Sequence, residues 1–245
     1  MRKFLFALLA AAATGSYAAE IKVLSSTAMK SVLEELGPQF EKATGHKLAA
    51  QFAPAADMKA RIEKGEAFDV AILTAAPMDE LAKINRIAVG SRIDVARSGA
   101  GVAIRKGAPK PDLATADSFK QALLQAKSVA FVGTGATAAN MRNIFARLGI
   151  AEEMKAKTRL LSGIGAAEAV AKGEAELGFT QVSEILGIDG AELAGPLPAE
   201  VQVYTVFPAA GAASAREPQA ALAFLRYLKT PEAAKIIRAK GMEPG

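Results

Sequence analysis

The chain has 245 residues, of which 51% are hydrophobic and 22% charged, with a formal net charge of +5 at pH 7. Such a composition predicts a soluble globular protein with one large domain or two small ones, and its basic residues are too scattered among acids to bind nucleic acid. The absence of cysteine and the presence of one histidine, His46, argue against thiol chemistry and a zinc site, so no cofactor is expected.

The first residues have the three parts of a secretory signal peptide. Residues 2–3 are basic, residues 4–13 are apolar, and small residues follow up to Ala19. The apolar run is too short for a permanent membrane helix, which needs about 20 residues. We therefore expect residues 1–19 to be a signal peptide, cleaved after Ala18 or Ala19, and the mature protein to reach the periplasm.

From residue 20 onward, short apolar runs alternate with segments of helical periodicity. Pro38 predicts a kink or a restart within the first helix. The alternation indicates an α/β fold with mostly parallel sheets. In chain order, the sequence predicts a strand over 21–24, a helix over 28–44, a strand over 47–52, a helix over 56–64, a strand over 68–73, a helix over 78–84, a strand over 100–104, a helix over 118–125, a strand over 129–132, a helix over 138–148, a strand over 158–161, a helix over 166–172, strands over 176–180 and 201–207, and helices over 218–229 and 231–240.

Four loops of mainly small residues follow predicted strands and lead into helices. They are Ser25–Thr27, Phe52–Asp57, Gly133–Thr137 and Ser162–Gly165. Ligands of open α/β sheets bind at the carboxyl ends of strands, where free N–H groups and the helix dipole hold anions. The same residue types also serve as ordinary helix caps, so no single loop is specific. Taken together, the loops predict a site for a small anion.

Motifs for catalysis are weak. The segment Gly133–Ala138 fits the G-x-G-x-x-A pattern of dinucleotide-binding folds, but it lies far into an exported chain, which argues against a nucleotide. There is no G-x-S-x-G motif, and His46 falls in a predicted helix-to-strand turn. Asp69 is a lone carboxylate at a strand start, where a structural role is favoured. We therefore expect no catalytic activity.

Five segments, in the same order over nearly all of the mature chain, resemble one known family. They are Ile21–Ser26, Phe40–Lys47, Ile62–Ile72, Ala169–Gly178 and Phe224–Ala234. These segments are similar to those of the molybdate-binding periplasmic solute-binding proteins of ABC importers. The resemblance implies a monomer that captures a small anion and delivers it to a membrane ABC permease.

The resemblance also implies a type II periplasmic-binding-protein fold, with two α/β lobes that close on the ligand. Each lobe would be a mostly parallel sheet flanked by helices. Lobe one would comprise residues 20–96 and 206–245, and lobe two residues 97–205. Two hinge crossings would join the lobes, near residues 94–103 and 204–207.

The side chains that hold the oxyanion in this family are not retained. The two serine positions fall on Ala28 and Ala55, and the tyrosine position falls on Gln181; the amide-donating positions fall near Thr137 and Gly163. Each lost charge-assisted hydrogen bond costs about 1–3 kcal/mol, which disfavours molybdate unless the first loop shifts by a residue. A small organic anion is therefore predicted, with molybdate or tungstate as the alternative.

Arg97 and Ser98, at the first crossing, are within reach of a carboxylate in this arrangement. A further alternative is an exported enzyme on the same scaffold, which would require His46 or Asp69 in the cleft beside a serine. The complete set of predicted ligand contacts is Ser25, Ser26, Thr27, Ala55, Ala56, Arg97, Ser98, Gly135, Ala136, Thr137, Gly163, Ile164 and Gln181.

Overall fold

A computed structural model of the protein describes residues 18–245, so the predicted signal peptide lies outside the described residues except for its last two positions. Among residues 18–245, none of the helices combines the length and the apolar character needed to cross a membrane. The strands are β1 (Glu20–Ser26), β2 (Lys47–Ala53), β3 (Val70–Ile72), β4 (Ile93–Arg105), β5 (Val129–Val132), β6 (Thr158–Leu161), β7 (Leu177–Gln181), β8 (Ala191–Pro196), β9 (Tyr204–Gly211) and β10 (Glu243–Pro244). The helices are α1 (Lys30–Thr44), α2 (Ala55–Glu63), α3 (Ala75–Lys83), α4 (Ala116–Gln125), α5 (Gly135–Arg147), α6 (Ala151–Lys157), α7 (Ala166–Ala171), α8 (Val182–Ile185), α9 (Pro218–Tyr227) and α10 (Pro231–Ala239), and a 3₁₀ turn over Thr27–Met29 joins β1 to α1.

One long strand, β4, belongs to two sheets. Its first half pairs with β9 in a sheet of order β2-β1-β3-β9-β4, in which β1, β2 and β3 are parallel and β9 is antiparallel to its neighbours. Its second half pairs with β7 and β8, and β7 continues through β5 to β6 as a parallel set. We call these the first sheet and the second sheet.

Both sheets are buried by helices, and successive residues of a strand face opposite layers. In β1, Val23 joins the cluster formed with α1, α9 and α10, whereas Leu24 joins the cluster formed with α2 and α3. The second sheet has its own core, centred on Phe119, Phe131 and Phe179. Burial on both faces explains why β3 and β5 are continuous apolar runs rather than alternating ones.

The elements differ from the predicted ones mainly where contacts are distant in the sequence. Pro38 lies inside an uninterrupted α1, because the apolar face of this helix, including Leu36 and Phe40, is packed in the core on both sides of the proline. Gly45 ends α1 with φ of +78°, as predicted. The sequence pattern missed the first half of β4, and also α6, α8, β8 and β10.

An ion-pair cluster ties β1 to the end of α2. The Arg61 guanidinium donates to Glu66 Oε2 (Nε, 2.6 Å), and Lys22 Nζ lies 2.9 Å from Glu66 Oε1. Hydrogen bonds from Arg61 and then from Lys22 lower the pKa of Glu66 to about 2. The cluster therefore stabilises the folded chain while this carboxylate is ionised.

Candidate ligand-binding site

The carboxyl ends of the parallel strands in the first sheet meet at one edge. Ser25 is in register with Phe52 on β2, and Ser26 with Ala53, so the 3₁₀ turn after β1 lies beside the loop that enters α2. Ser25 and Ser26 are buried, whereas Thr27 is exposed. The structure thus brings together the predicted contacts of lobe one, including the half-buried Ala55 and the exposed Ala56 that begin α2.

A third loop at this edge was missed by the sequence analysis. Ser25 is also in register with Ile72 on β3, which places Leu73 and Thr74 beside the 3₁₀ turn. Thr74 precedes α3 in an extended conformation. The signal was present in the sequence, because a threonine directly follows a buried strand and precedes a helix.

The second sheet brings two further loops together. Val132 is in register with Leu161, and the N–H of Gly133 donates to the Leu161 carbonyl at 3.0 Å. The loops Gly133–Thr137 and Ser162–Gly165 are therefore neighbours, which places Ala136 and Ile164 on adjacent segments.

Two glycines in these loops expose the backbone. Gly135 and Gly163 have φ of +84° and +75°, in the left-handed region that favours glycine, and no atom lies within 4 Å of where a Cβ would stand. A ligand can therefore approach the main chain of both loops closely.

Three helix starts at the carboxyl edges have a hydroxyl residue at the cap position that does not cap the helix, whereas the start of α8 is capped by Gln181 and Glu184. Ser26, Thr74 and Thr134 precede helical turns, and none of these side chains accepts a hydrogen bond from the helix. In contrast, Thr115 caps α4 and Thr230 caps α10 through such bonds. The hydroxyls of Ser26, Thr74 and Thr134 thus lie beside helix starts at the edges where an anion is expected.

The two edges come into contact beside Gln181. Ser183 Oγ, in α8, donates to the Ala28 carbonyl at 3.0 Å, which links the end of β7 to the 3₁₀ turn after β1. Gln181 is 4% exposed, and its Nε2 donates to Thr205 Oγ1 on β9 at 3.1 Å. The ends of β1 and β7 are thus in contact; we call this contact the cleft floor, and the region between the loops that follow the strands of the two sheets the cleft.

Two predicted contacts have partners within the protein. The Arg97 guanidinium forms an ion pair with Glu243 on β10 and lies 5.1 Å from the centre of the Tyr204 ring. Ser98 is 1% exposed, and its hydroxyl donates to the Gly99 carbonyl at 3.3 Å. Ser98 is also in register with Thr205, the residue that accepts the hydrogen bond from Gln181, so it lies near this predicted contact.

His46 and Asp69 lie at the opposite ends of the strands. His46 precedes β2, and its Nδ1 accepts the N–H of Ala19 at 3.2 Å. Asp69 precedes β3, and its carboxylate accepts hydrogen bonds from three backbone N–H groups. These are the N–H groups of Lys22 and Arg216, at 2.8 Å, and of Glu217, at 3.1 Å. Neither side chain lies beside a cleft serine, and residues 18–245 hold no cluster of three metal-ligating side chains.

A carboxylate that the sequence analysis missed lies at the cleft floor. Glu184, in α8, is half-buried, and its Oε2 accepts hydrogen bonds from Thr180 Oγ1 and from the N–H of Gln181. Burial raises the pKa of Glu184, those hydrogen bonds oppose the rise, and the Glu168 carboxylate adds to it. Its position soon after a buried strand, in a polar run, was the available signal.

Known proteins resemble this chain along most of its length. Residues 21–243 match the family described as bacterial extracellular solute-binding proteins. The aconitate isomerase of a Pseudomonas species is 34% identical over 91% of this chain and 87% of its own length. The molybdate-binding protein ModA of Azotobacter vinelandii is 30% identical over 94% of this chain and 92% of its own.

A solved structure confirms the predicted fold. The periplasmic molybdate-binding protein of Azotobacter vinelandii superimposes with a TM-score of 0.78 at 23% identity, and the match covers 91% of this chain and 98% of that one. The type II periplasmic-binding-protein fold predicted from the sequence is therefore correct. The expectation of no catalytic activity is wrong, because a protein that is 34% identical over most of the chain is named as an enzyme.

Proposed function

The chain belongs to the bacterial extracellular solute-binding proteins, and from this we propose that it captures a small organic anion with carboxylate groups and delivers it to a membrane ABC permease. Residues 1–19 would direct it to the periplasm. The ligand would lie between lobe one, residues 20–96 and 206–245, and lobe two, residues 97–205. The separate cores support this division, because within residues 18–245 no hydrophobic cluster combines residues of both proposed lobes.

The observation that carries the proposal is that the loops combine backbone N–H donors with methyl groups in place of hydroxyls. Ala28 and Ala55 occupy the places where serine hydroxyls are implied by the family resemblance, so these positions offer no hydroxyl to a tetrahedral oxyanion. The uncapped helix starts and the open backbone at Gly135 and Gly163 still offer N–H donors. A carboxylate accepts such donors, and the methyl groups suit the carbon skeleton that bears it.

Donors on both lobes also explain how binding would favour closure. A ligand that bridges the first-sheet loops and the second-sheet loops makes its full set of contacts only when the lobes are together. Its differential affinity then shifts the population towards the closed form. The Ser183–Ala28 hydrogen bond links the turn after β1 to the end of β7, between the two sets of loops.

The aconitate isomerase relative favours a second candidate function, in which the bound anion is converted and not only transported. Aconitate is a small unsaturated tricarboxylate, and its isomers differ in the arrangement about one double bond. The same cleft would hold the carboxylates while a proton moves between carbons. This candidate needs a proton-transfer group at the cleft.

A thermal-shift screen of the mature protein tests the ligand class. The ligands are molybdate, tungstate, sulfate, citrate, cis-aconitate and trans-aconitate. A ligand at one hundred times its Kd adds about 2.7 kcal/mol, which raises Tm by about 5–10 °C for a chain of this size. A shift with carboxylates alone is expected, and a shift with molybdate alone would refute the proposal.

Proton NMR of cis-aconitate incubated with the protein then separates the two candidates, since only an isomerase produces the trans isomer. The variant Gly135→Val should lose the carboxylate shift, because the added side chain occupies the open backbone of the cleft loop. Gly45→Val is the matched control, with a similar left-handed φ of +78° and no atom within 4 Å, at the end of α1.

A further inference from the structure

On the basis of the proposed function in its isomerase form, we propose that Glu184 is the group that exchanges a proton with the bound carboxylate substrate. Glu184 lies at the carboxyl end of a buried strand. β7 is buried throughout and ends at Gln181, so α8 begins at the carboxyl edge of the second sheet. Ser183, the neighbouring residue, contacts Ala28 across the cleft floor.

The carboxyl group is held in a defined orientation. Both of its hydrogen bonds, from Thr180 Oγ1 and from the N–H of Gln181, fall on Oε2. Oε1 is left without a hydrogen-bond donor among the described residues; the residue is partly exposed, although its carboxyl group is largely buried. A proton-transfer group requires such a fixed carboxyl with one oxygen available to the substrate.

The charges around Glu184 suit a proton carrier. Glu168, in the first turn of α7, is the charged group that faces it, and the Glu168 side chain packs against Gly165 in the cleft loop. Burial first and Glu168 second raise the pKa of Glu184, which makes its carboxylate a stronger base. When protonated, Glu184 is neutral and does not repel an anionic substrate.

Other titratable groups are less well placed. His46 and Asp69 lie at the amino ends of the strands, away from the loops. Asp57, in the first turn of α2, lies near the first-sheet loops, but it is exposed to solvent. Glu184 alone among these combines the cleft edge, partial burial and fixed orientation.

The chemistry balances without a co-reactant. The Glu184 carboxylate removes a proton from the methylene group next to the double bond of the tricarboxylate, and the C–H electron pair forms a new double bond to the adjacent carbon. The original double bond shifts its electrons onto the far carbon and its carboxylate. Protonated Glu184 then returns a proton to that far carbon. Loop N–H groups stabilise the charge that develops on the carboxylates.

The test compares wild type with Glu184→Gln in D2O, with cis-aconitate as the probe and proton NMR as the readout. Glutamine keeps an oxygen that accepts the Thr180 and Gln181 hydrogen bonds, so α8 should remain folded. Conversion by the variant should fall about 100-fold or more, whereas its thermal shift with cis-aconitate should persist. Glu153→Gln, at an exposed position of α6, is the control and should convert like wild type.

Three outcomes are distinguishable. If wild type converts neither isomer, the isomerase function fails and the inference with it. If wild type and Glu184→Gln convert and incorporate deuterium at equal rates, the isomerase function stands and the role of Glu184 is refuted. If Glu184→Gln does not fold, the variant Glu168→Gln provides the test. It should keep the maximal rate, but its activity should rise at a lower pH than in wild type, because removal of the Glu168 charge lowers the pKa of Glu184. An unchanged pH profile would overturn the inference.

Discussion

Gly241 provides a direct test of the contact between the two proposed lobes. This residue follows α10 with φ of +73°, and a methyl group on it would lie 2.7 Å from Val182 Cγ1 and 2.8 Å from Leu186 Cδ1. Both partners belong to the segment after β7, which is attached to the second sheet. The substitution Gly241→Ala would therefore create a steric overlap that pushes the segment after β7 away from the end of α10.

The magnitude follows from two separate effects. Alanine in the left-handed region costs about 1 kcal/mol relative to glycine. Overlap with two packed methyl groups costs about 1–3 kcal/mol more, if the lobes stay in contact. Gly45→Ala is the matched control, because Gly45 has φ of +78° and no atom within 4 Å. Gly45→Ala therefore has the free-energy cost of the left-handed backbone conformation without the cost of steric overlap.

Urea denaturation and calorimetric titration with cis-aconitate separate these effects. Both variants should lose about 1 kcal/mol of unfolding free energy from backbone strain. Only Gly241→Ala should bind more weakly, by a factor of about 5–150 in Kd, because separation of the lobes relieves the overlap at the expense of the closed form. Equal Kd values for wild type and both variants would refute the view that this contact belongs to the ligand-bound state.

Three other predictions concern particular side chains. The double variant Ala28→Ser/Ala55→Ser should gain molybdate affinity of about 100-fold in a calorimetric titration, because two hydroxyl donors are restored; unchanged affinity would contradict the assigned positions. Asp69→Ala should lower the unfolding free energy in urea by about 1–3 kcal/mol, because three part-buried backbone N–H groups lose their carboxylate acceptor, whereas exposed Asp57→Ala should change it little. Glu66→Gln should remove about 1 kcal/mol of stability at neutral pH. In wild type this contribution is present above the unfolded pKa of about 4.3 and is lost as pH falls towards the folded value of about 2, so urea midpoints of the two proteins should converge in acid.

Much of the fold was accessible from local patterns. The alternation of buried strands and amphipathic helices predicted the α/β class, and small residues after β1, β2, β5 and β6 predicted which loops share an edge. These predictions rest on neighbours in the sequence. The first half of β4 was missed, because Asp94, Arg97 and Ser98 make it polar and its partner, β9, lies about a hundred residues later.

In the candidate site, too, features set by local sequence were predicted and features set by distant residues were not. The candidate loops were predicted from their composition, whereas the ion pair of Arg97 with Glu243 could not be predicted, because the two residues are 146 positions apart in the sequence. Glu184 was overlooked because a four-residue helix has no periodicity, and the environment of its carboxyl group depends on Glu168 from another helix. Pairings of this kind depend on the assembled sheets and have no local signature.

The position of β9 has a consequence for the order of assembly. The first sheet is completed only when β9 inserts between β3 and β4, and Asp69 obtains two of its three partners from the backbone at Arg216 and Glu217. Strands β5 to β8 are contiguous in the chain and need no such late segment. During synthesis from the N-terminus, the second sheet can therefore mature first. The edge of β3 stays open until the C-terminal segment arrives, which delays folding of the half that emerges earliest.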